Sequence, residues 1–186
     1  MHPKQQLEAI DILHYWYSAS VKKQWFSATP ELDAKIHNRY ALLWRQAADG
    51  LLDRWKATPE GCLALCIILD QFPLNMFRGK PESFATEAQA ISVSKYAIKQ
   101  GYDKQIEKQR LAFLYMPLMH SEDLADQKLS VELFKAANLQ NNIRFAEHHL
   151  ELISKFHRFP HRNSILGRKS TSEEMAYLAS KHAFKG

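Results

Sequence analysis

The sequence predicts an all-α protein of about eight helices packed in antiparallel pairs, as a bundle or a short α-solenoid. Three observations support this prediction. Apolar residues recur three and four positions apart, convincing strand alternation is absent, and proline and glycine fall where helices begin and end. Short connections between successive helices favour antiparallel packing of neighbours. No repeat of fixed period is present, so a solenoid would be a degenerate one.

The first two predicted helices carry one apolar face each. The first carries its apolar face on Leu7, Ile10, Leu13, His14 and Tyr17. The second begins at Thr29, a good N-cap, with Pro30 in the first helical position, and ends at Gly50. Its apolar residues are spaced by three or four, so one stripe faces the core.

The third predicted helix is apolar on nearly every face. Thr58 and Pro59 repeat the same start signal, and the helix extends to about Asp70. Such a helix belongs in the middle of a bundle. We expect Pro73 to stop or kink it, because proline lacks the backbone N–H that a helix interior needs.

The second half of the chain predicts further helices with short connections. They span residues 86–101, 107–116, 124–137 and 141–156, and a last helix begins at the capping box formed by Thr171 and Glu174. Pro117 marks the expected end of the helix over residues 107–116.

Length and composition predict one soluble domain over residues 1–186. A chain of 186 residues buries about 70% of its surface on folding and needs no staple. With 46% hydrophobic and 24% charged residues, disorder is excluded. Two cysteines fit a reducing compartment. The longest apolar run, residues 62–69, is too short for a membrane span, and Glu8 and Asp11 interrupt a signal peptide, so we expect a cytoplasmic protein without a membrane partner.

The positive charge is concentrated in one segment. The net charge is +5, and residues 155–169 hold five lysines and arginines without an acid. This excess favours either an anionic partner or an internal ion-pair network, and a solvated face is the common outcome. The footprint is small and no helix-turn-helix or zinc-finger spacing is present, so the sequence predicts no nucleic-acid partner.

The first of three polar blocks, residues 70–79, follows the apolar helix. Asp70 comes directly after three aliphatic residues, so we expect it to be buried and to need a cation or several hydrogen-bond donors. Two interpretations stay open: Asp70 tethers a neighbouring segment, or it lies at the mouth of a pocket.

The second block, residues 120–127, follows an apolar run. Ser121 is the predicted N-cap of the next helix, with Glu122 and Asp123 in its first turn, where the helix dipole favours acids. That prediction leaves His120 without a structural explanation.

The third block, residues 156–163 with Gly167 and Arg168, predicts an irregular basic loop. Phe156 and Phe159 anchor it and Pro160 keeps it out of a helix. Arginines in such a loop can bind a carboxylate or a phosphate through two parallel hydrogen bonds. The candidate internal partners are Asp70, Glu122 and Asp123.

Metal and cofactor sites are not predicted. Cys62 and Cys66 share a helix face but have no nearby ligands, and Pro160 breaks the helix that would align His157 with His161. No Gly-rich phosphate loop and no Gly-x-Ser-x-Gly elbow are present.

The three blocks resemble those of a bacterial family known as domain of unknown function 924. The resemblance is carried by residues 69–79, 115–123, 158–163 and 166–168, with Trp25, Phe26 and the Thr171–Glu174 ending in support. It implies a tetratricopeptide-like superhelix and no established activity. Two positions depart from the family pattern: Leu74 stands where an arginine is usual, and His157 where a glycine is usual.

The leading hypothesis is a helical binding module for a small anionic ligand or an acidic peptide. Arg78, Arg158 and Arg162 would face the anion. The full set of candidate ligand-binding residues is Asp70, Gln71, Asn75, Arg78, His120, Ser121, Glu122, Arg158, His161, Arg162 and Asn163.

Two alternatives to binding stay open. In an enzyme, His120 or His161 would be the general acid or base, oriented by Glu122 or Asp123, with the arginines stabilising negative charge. In the third interpretation, the blocks are a structural ion-pair network that holds the helices together.

Overall fold

The all-α prediction is confirmed by a computed structural model, which describes residues 8–184. Within these residues there is no strand. The α-helices are α1 (Ala9–Trp16), α2 (Ala19–Lys22), α3 (Pro30–Ala48), α4 (Pro59–Cys66), α5 (Phe72–Met76), α6 (Glu87–Lys99), α7 (Lys108–His120), α8 (Leu124–Ala136), α9 (Gln140–Phe156) and α10 (Ser172–Leu178). No helix in the described part combines the length and the apolar composition needed to cross a membrane.

The predicted start signals are confirmed. The Thr29 hydroxyl accepts the Leu32 amide at 3.3 Å, and the Thr58 hydroxyl accepts the Gly61 amide at 3.1 Å. Both following prolines occupy the first helical position, where a missing N–H costs nothing. The Thr171 capping box at the start of α10 is present as well. These helix starts depend on local contacts, which explains why the sequence predicts them.

Of the two outcomes expected at Pro73, a stop or a kink, the structure contradicts the stop. A π turn, Ile67–Gln71, connects α4 to α5, and the helix continues to Met76. Pro73 offers no N–H to the carbonyl of Leu69, and the Thr86 hydroxyl donates to that carbonyl instead, at 2.6 Å. A hydrogen bond from outside the helix, donated by Thr86, therefore satisfies the carbonyl that Pro73 leaves without a donor.

Pro117 does not end its helix either. α7 passes through Pro117 and ends at His120. The Ser94 hydroxyl of α6 donates to the carbonyl of Leu114, next to the proline turn, at 2.6 Å. The extra turn places His120 at the C-terminal end of α7.

The core includes two of the four tryptophans. Trp16 and Trp55 are buried, and the Trp16 ring packs edge-on against Phe113 at 5.3 Å between ring centroids. α4 and the π turn lie in the middle and are buried on nearly all faces. From α6 to α9, successive helices pack against one another. The end of α7, the start of α8 and the loop after α9 meet at one end of this stack, where the polar blocks come together.

Candidate functional site

A carboxylate–histidine pair occupies the centre of the candidate site. Asp70 lies in the π turn, is 4% exposed, and its Oδ1 is 2.8 Å from Nδ1 of His120. The Gln71 amide donates to the other oxygen, Oδ2. The prediction that Asp70 is buried and has polar partners is confirmed.

The His120 side chain is partly exposed. Its exposed fraction is 18%, and Nε2 of the ring forms no hydrogen bond within residues 8–184. Because ionised Asp70 accepts a hydrogen bond, Nδ1 of His120 carries the proton, and Nε2 of the neutral ring presents a lone pair. His120 is therefore a fixed acceptor at the surface, or a donor once the ring is protonated.

Arg162 closes the site from the third block. It donates to Oε2 of Glu87 at 2.7 Å and to the backbone carbonyl of His120 at 2.9 Å. The guanidinium lies between the rings of Phe84 and Phe159, 4.5 Å and 4.6 Å from their centroids. Burial raises the pKa of the Glu87 carboxyl, although the charge of Arg162 opposes that shift. Arg162 thus ties the turn that contains it to the start of α6 and the end of α7.

The second ion pair, between Arg168 and Glu122, contains two parallel hydrogen bonds. Two guanidinium nitrogens donate to Glu122 at 2.6 Å and 2.9 Å, and the Phe159 amide donates to the same carboxylate at 2.8 Å. Burial raises the pKa of Glu122, but these hydrogen bonds more than offset it and hold the pKa below its usual value. Arg168 also donates to the Asn163 side chain, which fixes the loop internally.

The predicted N-cap at Ser121 is wrong. Asp123 caps α8, accepting the amides of Ala125 and Asp126 at 2.8 Å and 3.1 Å. The Ser121 hydroxyl donates to Asp126 and accepts the Asp123 amide. Glu122 therefore lies before the helix, where it is available to Arg168 and Phe159. Asp and Ser are equally good caps, so local preference could not decide between them.

Arg158 binds a carboxylate of its own. It donates to both oxygens of Glu174, at 2.6 Å and 2.8 Å, and to the carbonyl of Lys169. These hydrogen bonds lower the pKa of Glu174 to about 2. Lys155 and His157 line a shallow groove on this side, opposite Glu173 and Glu174.

Asn75 and Arg78 form a third assembly with Asp33. The Asn75 amide and the Arg78 guanidinium both donate to Asp33, each at 2.7 Å. Within residues 8–184, this assembly shares no hydrogen bond with His120, Glu122, Arg158 or Arg162. The three arginines predicted to face one anion are thus paired with three different carboxylates.

A group of histidines lies behind His120. His149 is buried and its ring centroid is 6.5 Å from that of His120. Phe159 packs against the rings of both His149 and His161. Burial lowers the pKa of His149 to about 3 and that of His161 to about 4, so both rings are neutral near pH 7. Residues 8–184 contain no cluster of ligands suited to a metal ion.

Sequence reasoning missed several members of this site. Glu87 and Glu174 resemble ordinary first-turn acids of their helices, and only the folded chain brings Arg162 and Arg158 to them. Of the three acids expected to pair with the basic loop, only Glu122 does so. Asp70 binds His120, and Asp123 is a cap. Of the missed residues, only Glu174 had a signal in the sequence. Its capping box with Thr171 indicates an ordered side chain.

The chain is similar to a known protein family and to a solved structure. The family described as a bacterial protein of unknown function (DUF924) matches residues 12–182. The chain belongs to this family. A solved structure of a protein of unknown function from Agrobacterium tumefaciens is similar, with a TM-score of 0.87 and 36% sequence identity over 92% of this chain and 96% of that chain. No curated protein matches the chain.

The fold explains one departure of this DUF924 chain from its family pattern. His157 follows α9 with φ +57° and ψ +12°, the left-handed conformation in which glycine is the usual C-terminal residue. The histidine thus occupies a position whose backbone conformation favours glycine. Leu74, the other departure, lies in α5 and leaves Arg78 and Asn75 as the groups that bind Asp33.

Proposed function

We propose that this protein is a helical binding module whose ligand contacts the solvent-facing edge of His120. The observation that carries the proposal is the asymmetry of this ring. Nδ1 is fixed by buried Asp70, while Nε2 has no partner among the described residues and remains accessible. A buried polar group is normally paired, and a side chain oriented by one hydrogen bond with its other end open is suited to recognition.

The charge balance favours a polar ligand that donates a hydrogen bond. Around His120, the carboxylates of Asp70, Glu87 and Glu122 face only the two guanidinium groups of Arg162 and Arg168. The sum is one negative charge with a neutral His120 and zero with an imidazolium. A hydroxyl or N–H donor therefore fits better than the anion expected from the basic segment, because that segment's arginines already bind carboxylates.

General acid–base catalysis by His120 is the second candidate. A buried carboxylate that holds Nδ1 stabilises the imidazolium formed when Nε2 takes a proton from a substrate. Asp70 fills the orienting role expected of Glu122 or Asp123, and those two residues have structural partners. His161 is less suited to this role because its pKa of about 4 makes it a weak base.

The proposal also covers the type of fold and the cellular compartment. The pairing of successive helices from α6 to α9 supports a single tetratricopeptide-like domain. The two cysteines are buried and unpaired, which supports a reducing, cytoplasmic compartment.

A ligand screen with matched histidine variants tests the proposed function. A panel of small hydroxyl and amine compounds is screened by thermal shift against wild type, His120→Gln and His37→Gln. His37 is the control because it is an exposed histidine on α3 whose ring lies beside Phe77, away from Asp70. A ligand at 100 times its Kd stabilises the fold by about 2.7 kcal/mol. We expect this shift in wild type and in His37→Gln but not in His120→Gln. Hits that stabilise all three proteins equally would contradict a site at His120.

Turnover separates the two candidates. If a hit is consumed, loss of turnover in both His120→Gln and Asp70→Asn would favour the enzyme. The tautomer of His120, read from ring 15N chemical shifts, provides the structural control. We expect the proton on Nδ1 in wild type and a mixture of tautomers in Asp70→Asn, because the amide no longer requires a donor there.

A further inference from the structure

The ring of Phe184 packs against the histidine group. Phe184 belongs to the segment after α10, residues 179–184. Its ring centroid is 4.7 Å from that of His149 and 5.0 Å from that of His161, both in edge-to-face geometry. His148 contributes a third imidazole at 6.3 Å. Three imidazoles from two parts of the chain thus surround one phenyl ring.

Little else holds this segment in place. The one hydrogen bond from the Phe184 backbone goes to the hydroxyl of Tyr177, at 2.7 Å. Lys181 and His182 are exposed. The amides of Ala179 and Ser180 donate to carbonyls of α10, and the Tyr177 hydroxyl lies 3.5 Å from the carbonyl of His182. The contact from Ala183 to Ser180 lies within the segment. Docking therefore depends mainly on the Phe184 ring, and segments with so few buried contacts open easily.

His161, whose ring packs against Phe184, and its chain neighbour Arg162 each contain a buried polar atom without a partner among the described residues. Nδ1 of His161 is buried without a hydrogen-bond partner in the described residues, and so is Nε of the adjacent Arg162, a residue only 6% exposed. Orphaned buried polar atoms are rare and point to a missing partner. A phenyl ring fills the apolar part of this recess, while a ring with a polar substituent would also provide that partner.

We propose that Phe184 occupies, from within the chain, a subsite for an aromatic or heteroaromatic ring of the ligand. The segment over residues 179–184 lifts to admit that ring. The subsite lies next to His120, from which the ring of His149 separates it. This inference rests on the proposed function, and it specifies the ligand: a ring for the recess, with a donor that reaches His120 or a polar group that reaches His161.

The test uses 4-fluorophenol as a probe, because it combines a ring with a hydroxyl group. Binding is followed by 19F NMR in wild type, Tyr177→Phe, Phe184→Ala and Met175→Ala. Tyr177→Phe removes the hydroxyl that holds the Phe184 amide and that lies 3.4 Å from Nε2 of His148, but it leaves the Phe184 ring and all three imidazoles in the chain. Met175 is an exposed apolar residue of α10 and provides the matched control.

We expect saturable binding to wild type, tighter binding to Tyr177→Phe and the tightest to Phe184→Ala. A cover that is docked about 90% of the time raises the apparent Kd about tenfold, which sets the size of the gain in Phe184→Ala. Met175→Ala should bind like wild type. In 15N spectra of wild type, the Phe184 amide signal should move towards its unstructured position as the probe binds.

Several outcomes would overturn the inference. Binding to Phe184→Ala alone would show only a cavity made by truncation, as would a Phe184 amide signal that stays in place while the probe binds. Equal binding to all four proteins would place the probe elsewhere. If Phe184→Ala does not fold, Tyr177→Phe decides, and an affinity equal to wild type contradicts the proposal.

A second pair of variants separates this inference from the proposed function. If Tyr177→Phe with His120→Gln binds the probe as tightly as Tyr177→Phe alone, the ring subsite stands and the role of His120 fails for this ring. If probe binding never displaces Phe184 while the ligands of the first screen still require His120, the ring subsite fails alone.

Discussion

Arg162 and Arg78 form ion pairs of the same chemistry in opposite surroundings. The side chain of Arg162 is 7% exposed and that of its partner Glu87 is 21% exposed, and two aromatic rings cover the guanidinium. The side chain of Arg78 is 57% exposed, although Asp33 opposite it is only 17% exposed. Both pairs have a hydrogen bond of 2.7 Å. Bond length therefore says little about their contribution to stability, because the free energy depends on how much water each charge has lost.

The difference also separates support from recognition. Arg162 bridges two helix ends and is already neutralised by Glu87, whereas Arg78 keeps solvent access but is already neutralised by Asp33. Arginine in a polar block is thus a poor indicator of an anion site in this protein. The accessible group is His120, which is held by a neutralising carboxylate and has one free edge.

The largest effect is expected from Arg162→Ala. Removing one partner of a buried pair leaves the other charge uncompensated, and Glu87 retains only partial access to water. We expect a loss of about 3 kcal/mol in the free energy of unfolding, measured by urea denaturation at pH 7. The double variant Arg162→Met with Glu87→Met should recover part of this loss. A loss below about 1 kcal/mol would mean that Arg162 is held for binding rather than for folding.

Acid is expected to weaken the same region. The pKa values of His149 and His161, about 3 and about 4, lie below those of the unfolded chain, near 6.5. The unfolded state therefore takes up protons first, so stability is complete above pH 6.5 and is lost as the pH falls towards 4. Urea unfolding should show a decrease of about 3 kcal/mol between pH 6.5 and pH 5, since each of the two histidines contributes at most about 1.4 kcal/mol per pH unit.

Histidine variants locate the acid effect. His149→Gln should flatten the pH dependence of unfolding. His37→Gln, an exposed histidine that lies beside Phe77 near the Arg78 assembly, should leave it unchanged. Equal slopes in all three proteins would assign the effect to carboxylates instead.

A smaller effect concerns the backbone of the third block. His157→Gly relieves a left-handed conformation that costs a side-chain-bearing residue about 1–2 kcal/mol, and the added freedom of the unfolded chain removes part of that gain. We expect a net stabilisation of about 0.5–1 kcal/mol in urea denaturation. Asn138 also has a positive φ among the described residues. Asn138→Gly should raise the free energy of unfolding less than His157→Gly does, because asparagine tolerates this conformation. An equal or larger gain at Asn138 would show that His157 has a compensating contact.

The smallest effect is expected from Arg78→Ala. Exposed ion pairs contribute about 0.2–1 kcal/mol, so we expect a loss of about 0.5 kcal/mol by urea denaturation at low salt. The loss should shrink further at 1 M salt, because screening acts on exposed charges. A loss as large as that of Arg162→Ala would contradict the comparison, and the salt dependence provides the internal control.

The helices were predictable where the determining contacts are local. Thr29, Thr58 and Thr171 cap helices with their own neighbouring amides, and the sequence shows both partners. The helices that continue through Pro73 and Pro117 were not predictable. Hydroxyl groups on α6 or at its start, which no local pattern connects to those prolines, bind the nearby carbonyl groups.

The sequence predicted which residues belong to the candidate site better than it predicted which of them bind each other. The sequence indicated Asp70, His120 and Glu122 as candidate site residues because polar residues interrupt apolar runs there. All three lie where the end of α7, the start of α8 and the loop after α9 meet. It could not select Glu87, which stands at an ordinary helix start, nor place Phe184 over the histidines. Composition shows that charges must be compensated, but the partner of each charge is a matter of distance in the folded chain.

The sequence by itself determined the all-α class, the helix starts and the family. These follow from periodicity, caps and motifs that act over a few residues. Only the tertiary structure decided that the arginines are neutralised, that Asp123 rather than Ser121 caps α8, and that His120 keeps a free edge. The physical reason is that desolvation and ion pairing depend on groups brought together from distant parts of the chain, whose approach no local pattern encodes.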